Sequence, residues 1–188
     1  KPDIGIITNI GLCHLEMLKT RDGILKAKTE MFKYMNPDGI VILNGDDDKL
    51  ITVKDVNGKA PVFYGIKNKE NIYAESIESL GLLGMRCTMK NIPTKDKKHS
   101  FSVDIPVPGY HMVYNALAAA TVGAELGLTS DEIIKGLNNL ETIAGRNHII
   151  KANGMMIIDD CYNANPVSMK ASIDVIDSAI GRKICILG

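Results

Sequence analysis

The sequence predicts an α/β protein, and three observations near its start support this class. An apolar, β-branched run at residues 4–10 is followed by a helix at 23–35 with one apolar face, and then by a second apolar run at 40–43. Runs without polar alternation are typical of strands covered on both faces of a parallel sheet. The three segments therefore form a β-α-β unit with a right-handed crossover, and Asp22 is the predicted cap of its helix.

Residues 61–105 have a different pattern, which predicts a small antiparallel β appendage. Short β-rich segments at 61–66, 71–76, 85–90 and 100–105 are separated by turns rich in Gly, Asn or Lys. The charged run at 95–99 is predicted to be a solvated hairpin tip without a function.

The remaining sequence predicts helices and a hairpin with recognisable end signals. A helix at 111–126 ends at Gly127, and a capping box of Thr129 and Glu132 opens a second helix that runs to about residue 140. Two strands within 147–159 turn at Asn153-Gly154, and a helix at 166–180 precedes a last strand at 183–187. We place a domain boundary near residue 150, which divides the chain into 1–150 and 151–188.

Composition excludes several classes of protein. The 22 basic and 22 acidic residues balance, so no net charge attracts nucleic acid or an anionic membrane surface. The four cysteines are widely spaced, which favours a reducing compartment, and we expect the cytoplasm. No apolar run reaches the roughly 20 residues of a membrane helix, and the start lacks a signal-peptide pattern. Both ends lie close to predicted strands, so we expect a piece of a longer polypeptide.

The segment at 159–166, Asp-Asp-Cys-Tyr-Asn-Ala-Asn-Pro, carries the strongest functional signal. It connects an apolar strand to a helix, with Asn165 as the predicted cap and Pro166 at the first helical position. Open α/β sheets bind ligands at such strand-to-helix turns. Ordinary turn chemistry of Asp and Asn explains the same residues, so these letters alone leave both interpretations open.

Three further features concern possible metal sites. Lys28 falls within the apolar stripe of its helix, where its stem could also lie along the core while the ammonium reaches water. His14 follows a strand and could equally be a surface or core residue. The acidic segment at 44–48, Asn-Gly-Asp-Asp-Asp, lacks the spacing of a calcium loop, and we assign it no metal.

Four motifs, in this order along the chain, resemble those of the Mur ligases. They are Thr8-Asn-Ile-Gly-Leu-Cys-His14, Gly109-Tyr-His-Met-Val-Tyr-Asn115, Gly145-Arg146 and the segment at 159–166. The resemblance implies that residues 1–150 are the C-terminal half of the central ATP-binding domain, a partial doubly wound fold of the P-loop type. It also implies that residues 151–188 begin the Rossmann-like C-terminal domain.

The resemblance implies an ATP-dependent amide ligase of peptidoglycan precursor synthesis. The Tyr-Asn-Ala-Asn-Pro sequence favours the branch that activates UDP-N-acetylmuramoyl-tripeptide as an acyl phosphate and joins it to D-Ala-D-Ala. The chain has no Gly-x-x-x-x-Gly-Lys-[Ser/Thr] loop, which we expect before Lys1, so the isolated chain is predicted to be inactive. Another ligase of the superfamily and a non-catalytic nucleotide-binding module remain alternatives.

The resemblance also implies roles for individual residues. Lys28, in Ala-Lys-x-Glu, corresponds to a lysine carbamoylated by carbon dioxide that holds Mg²⁺ with His14. Arg146 corresponds to an arginine on the terminal phosphate of ATP, so Lys28 and Arg146 are the predicted catalytic pair. The other predicted nucleotide contacts are His111, Asn115, Asp160 at the ribose hydroxyls, Tyr162, Asn163 and Asn165. Met112 stands where the family pattern has an asparagine.

Overall fold

The computed structural model describes residues 1–12 and 15–187. Its strands are β1 (Ile4–Ile7), β2 (Ile40–Asn44), β3 (Val62–Gly65), β4 (Ile72–Ser79), β5 (Met85–Lys90), β6 (Ser100–Ile105), β7 (His148–Ala152) and β8 (Met155–Asp159). Its α-helices are α1 (Leu15–Leu18), α2 (Arg21–Thr29), α3 (Tyr110–Glu125), α4 (Ser130–Asn138) and α5 (Pro166–Asp177). In this part of the chain, no helix is both long enough and apolar enough to cross a bilayer.

Six strands form one mixed sheet in the order β1-β2-β3-β4-β5-β6. Strands β1 to β4 are parallel, and β5 and β6 extend the sheet with antiparallel pairing. The buried residues of β2, with Ile42 and Leu43 fully enclosed, explain its run without polar alternation. The predicted α/β class is confirmed.

Helices cover both faces of this sheet. On one face α3 and α4 pack against β2 to β6, and the buried side chains include Tyr64, Met89 and Leu117. On the other face α2 and the 3-10 turn Glu30–Tyr34 pack against β1 and β2 through Ile24 and Phe32. The sheet is thus a central layer whose parallel part has a core on each side.

The antiparallel appendage predicted for residues 61–105 is correct for its later strands and wrong for the first pairing. The first two predicted segments form β3 and β4, which continue the parallel sheet from β2. In this region, antiparallel pairing joins β4 to β5 and β5 to β6. Short β-rich segments look alike in both pairings, and the choice is made by the core residues Tyr64 and Ile72 packing under α3.

Two other local predictions are corrected. The cap of α2 is Thr20, whose side chain accepts the Gly23 amide, and Asp22 lies inside the first turn. The described residues 182–187 form no strand, and Ile184 and Ile186 are exposed. A strand needs a hydrogen-bonded neighbour, and none of the described strands runs beside this segment.

A second unit of structure follows α4. Strands β7 and β8 pair with each other through a turn at Asn153-Gly154, where both residues have positive φ, as predicted. Helix α5 begins with the predicted cap, Asn165, and with Pro166 in its first turn. The boundary that we placed near residue 150 falls inside β7. It stays a prediction.

Candidate functional site

The start of α3 forms one wall of the candidate site. Gly109 precedes the helix with φ of 111°, and a Cβ there would lie 2.6 Å from the His111 ring and 3.1 Å from Val175 of α5. His111 as a whole residue is exposed, yet the protein around its ring displaces water, which lowers the pKa of the imidazole. The negative charge of Asp160 opposes this effect. The Asp160 carboxylate thus favours the protonated form of the His111 ring.

The two carboxylates at the end of β8, Asp159 and Asp160, fix the loop that carries Arg146. The Gly145 amide donates to Asp159 Oδ2 at 2.9 Å, and the Asn147 amide donates to Asp160 Oδ1 at 3.1 Å. The Cys161 thiol and the Gly145 amide both donate to Asp159 and lower the pKa of its carboxyl group. Asp159 and Asp160 thus hold the residues on either side of Arg146.

Arg146 and Tyr162 face each other across this junction. The guanidinium carbon lies 4.1 Å from the centre of the Tyr162 ring, and the Tyr162 amide donates to the Gly145 carbonyl at 3.1 Å. Both side chains remain exposed. The aromatic face orients the guanidinium without occupying its N–H groups, which stay available to a ligand with phosphate oxygens.

The three asparagines that are predicted to contact the nucleotide have different surroundings. Asn115 lies one turn after His111, and its amide nitrogen is 3.4 Å from the sulfur of Met112. Asn163 is exposed in the turn before α5. Asn165 uses its side-chain oxygen to cap α5, accepting from Val167 and Ser168 at 3.0 Å. The amide nitrogen of Asn165 is the part of that side chain left for a ligand.

Sequence reasoning missed Asn147 and the role of Asp159. Asn147 is 9% exposed, has φ of 49°, and donates from Nδ2 to the Pro108 carbonyl at 2.8 Å. It therefore fastens the Arg146 loop to the segment that enters α3. The only sequence signal was an asparagine after Gly-Arg, a residue type that tolerates left-handed backbone.

Of the two residues predicted to bind the metal, the structure describes Lys28, whereas His14 lies outside the described residues. Lys28 is exposed near the end of α2, and its ammonium donates to the carbonyl of Asn9, just after β1, at 2.8 Å. Within the part of the chain that the structure describes, no group of three or more His, Cys, Asp or Glu could hold a metal. Lysine is not among those residue types.

Comparison with known protein families shows to which family the chain belongs. The family profile described as Mur ligase middle domain matches residues 1–123, about two thirds of the chain. The chain belongs to the Mur ligase family.

Individual Mur ligases match over a longer range. The chain is 35% identical to the UDP-N-acetylmuramoyl-tripeptide–D-alanyl-D-alanine ligase of Bacillus subtilis, and 32% identical to the enzyme of that name from Escherichia coli K12. Each match covers 100% of this chain, but only 39% of the first relative and 41% of the second. The chain thus spans about two fifths of the length of these relatives.

Solved structures agree with this match. A MurF crystal structure from Acinetobacter baumannii has a TM-score of 0.85 at 30% identity, covering 97% of this chain and 39% of that one. The MurF ligase of Thermotoga maritima in complex with ADP has a TM-score of 0.80 at 26% identity, covering 96% and 40%.

Gly109 provides a test of how this Mur ligase segment holds His111. Gly109→Ala should destabilise the protein by about 2–3 kcal/mol, since positive-φ strain is combined with contact on the imidazole. As the ring moves towards water, the pKa of His111 should rise towards its usual range. Thermal unfolding and NMR titration measure these two effects.

Gly127→Ala is the matched control for this prediction. Gly127 has φ of 80°, but a Cβ there meets nothing within 4 Å. That variant should lose only about 1 kcal/mol from backbone strain and leave the His111 pKa unchanged. Equal losses in the two variants, with no change in the His111 titration, would contradict the role given to Gly109.

Proposed function

We propose that the chain is the part of an ATP-dependent amide ligase that binds the nucleotide, and that the whole enzyme joins D-Ala-D-Ala to UDP-N-acetylmuramoyl-tripeptide. The identity with the B. subtilis and E. coli ligases supports this choice within the family. Because the chain spans only 39–41% of those relatives, the activity belongs to a longer polypeptide that supplies further domains. We keep 1–150 and 151–188 as the proposed domain limits, and the cytoplasm as the proposed location.

One observation carries the proposal: the Arg146 loop, the turn after β8 and the start of α3 are joined by hydrogen bonds. Asp160 binds the Asn147 amide, and Asn147 binds the Pro108 carbonyl. Through these bonds the loop of Arg146 and the turn of Asp160 are tied to the segment that enters α3, the helix that carries His111. A cation, a carboxylate and the beginning of a long helix fit the phosphates and ribose hydroxyls of a nucleotide.

The proposed contacts are compatible with the bonds already made. Asp160 accepts from the Asn147 amide on one oxygen and from the Ser172 hydroxyl on the other. A carboxylate has about four acceptor positions, so ribose hydroxyls can still donate to it. Arg146 is exposed and stacks on the Tyr162 ring, so its N–H groups can donate to the terminal phosphate, and His111 and Asn115 lie on one face of α3. Tyr162, Asn163 and Asn165 border the same turn.

We also propose that Lys28 is carbamoylated and holds Mg²⁺ together with His14. The Lys28 amine is exposed, so carbon dioxide can reach it, and a carbamate supplies the hard oxygen ligands that Mg²⁺ prefers. The bound ion would offset the negative charge of the phosphates. The chain itself would align the phosphates through Arg146 and hold the ribose through Asp160.

The Gly-x-x-x-x-Gly-Lys-[Ser/Thr] motif of a phosphate loop is absent from these 188 residues. We propose that another part of the full-length enzyme supplies this loop. We therefore expect no ligase activity from the 188 residues alone.

Calorimetry on the full-length protein tests the nucleotide site. Asn115→Ala and Asp160→Ala should each weaken ATP binding about tenfold to a hundredfold, as loss of a buried ligand hydrogen bond does. Asp174→Ala is the control, since it removes an exposed carboxylate of α5 that forms an ion pair with Lys170 one turn earlier. Unchanged ATP affinity in both site variants would refute this nucleotide site.

A further inference from the structure

The peptide groups of Ile10, just after β1, are held from both sides by charged side chains. The Ile10 amide donates to Asp47 Oδ2 at 2.7 Å, and its carbonyl accepts from Arg21 Nε at 3.0 Å. Asp48 binds the other end of the same guanidinium, accepting from Nη1 at 2.8 Å. The Ile10 side chain is 1% exposed, so its backbone and side chain are both fixed.

The two preceding residues are held as well. The carbonyl of Thr8 accepts from Asn44 Nδ2 at 3.0 Å, and that of Asn9 accepts from the Lys28 ammonium at 2.8 Å. Three consecutive residues after β1 are therefore fastened to α2 and to the segment after β2. This degree of restraint is unusual for a loop, because loops generally keep more freedom than the elements they connect.

The Arg21–Asp48 ion pair orients the guanidinium, and it contributes little to the stability of the fold. Asp48 is 66% exposed and Arg21 is 32% exposed, and exposed pairs contribute little to folding. The fork of contacts on Asp48 instead fixes the plane of the guanidinium, so that Nε faces the Ile10 carbonyl. Asp47 is fixed in the same way, because its other oxygen accepts the amides of Lys49 and Leu50.

Asp46, in the same acidic segment, has a different target. It accepts the amides of the loop after β3, at Ile66, Lys67 and Asn68. It also accepts the hydroxyl of Tyr114 from α3. Adjacent carboxylates thus hold different loops, and among the described residues of the loop after β1 the direct carboxylate contact is that of Asp47 with the Ile10 amide.

We propose that Asp47, Asp48 and Arg21 form a positioning clamp for residues 8–10, and through them set the Mg²⁺ affinity of the enzyme. This rests on the proposed function, because Lys28 contacts the clamped loop at Asn9 and His14 follows it by four residues. The clamp residues contact no substrate. They hold the loop that the Lys28 ammonium contacts at Asn9 and that precedes His14 in the sequence.

The test uses the full-length protein, with Mn²⁺ as a paramagnetic probe. Asp47→Asn replaces a carboxylate that accepts on both oxygens with an amide that accepts on one. It should speed amide hydrogen exchange in residues 8–12 and weaken Mn²⁺ binding about tenfold, as loss of one charge-assisted hydrogen bond does. At saturating Mg²⁺ the KM for ATP should stay near that of the wild type, and turnover should recover.

Asp46→Asn is the matched control within the same segment. It should speed exchange in residues 66–68 and leave Mn²⁺ affinity unchanged. Arg21→Lys is the second clamp variant, for use if Asp47→Asn does not fold. It keeps the charge but cannot hold Asp48 and Ile10 together, so it should also weaken Mn²⁺ binding.

The outcomes separate the clamp from the proposed metal site. If Lys28→Ala weakens Mn²⁺ binding while folded Asp47→Asn and Arg21→Lys bind Mn²⁺ as the wild type does, the clamp is overturned and the metal site stands. If Lys28→Ala leaves Mn²⁺ binding unchanged, the metal site is overturned and the clamp falls with it. Weaker binding in Lys28→Ala and in both clamp variants, but not in Asp46→Asn, supports both.

Discussion

Lys28→Ala in the full-length enzyme should lower ligase turnover by about a thousandfold or more, because it removes a charge-stabilising group from the proposed magnesium site. Release of inorganic phosphate with the tripeptide substrate and D-Ala-D-Ala measures the loss. A small carboxylic acid at high concentration should restore part of the turnover, since its oxygens replace those of the missing carbamate.

Lys26→Ala is the control for this result. Lys26 is exposed on the same helix, so its truncation removes a lysine side chain from α2 without touching Asn9. Turnover in that variant should stay near wild type. Turnover of Lys28→Ala close to that of Lys26→Ala would exclude a metal-binding role for Lys28.

Arg146→Ala should give the next largest effect, a fall of about a hundredfold to a thousandfold in kcat, the usual result of removing a donor that stabilises developing charge. Steady-state kinetics on the full-length enzyme should show this fall in kcat with a smaller change in the KM for ATP. Arg146→Lys should recover only part of kcat, because an ammonium lacks the planar fork that matches phosphate oxygens.

Variants of Tyr162 distinguish the effect of the Arg146 charge from the effect of the guanidinium orientation. Tyr162→Phe keeps the aromatic face 4.1 Å from the guanidinium and should retain nearly full activity. Tyr162→Ala removes that face and should reduce kcat severalfold, as expected for a cation–π contact of about 0.5–1 kcal/mol. Equal kcat in wild type, Arg146→Ala and Arg146→Lys would rule out contact between Arg146 and the transferred phosphate.

The helix and turn ends could be predicted from the sequence because their signals are local. The caps at Thr129 and Asn165 and the Asn153-Gly154 turn involve bonds within three residues, and the structure contains each of them. The cap of α2 was missed because Thr20 and Asp22 are both acceptable capping residues, two positions apart. Local chemistry alone could not choose between them.

The direction of β3 and β4 and the contacts of the site depend on distant residues, which the sequence does not reveal. Asn147 reaches Pro108 across 39 positions, and Asp47 reaches Ile10 across 37. The sequence assigned no metal to the acidic segment at 44–48, and it did not reveal the loops that the carboxylates of this segment hold. The motif resemblance named His111, Arg146 and Asp160, and it gave no information on the hydrogen bonds that fix their loops.

The short pairing between β3 and β4 makes the six-stranded sheet mechanically uneven. Its register joins Tyr64 to Ile72 and Gly65 to Tyr73, whereas β5 and β6 are paired along their whole length. The sheet is therefore easiest to part between β3 and β4, which leaves two cooperative units on either side. Helix α3 packs on strands of both units, so its contacts hold the two units together. A ligand that binds at the beginning of this helix would also oppose separation of the two halves of the sheet.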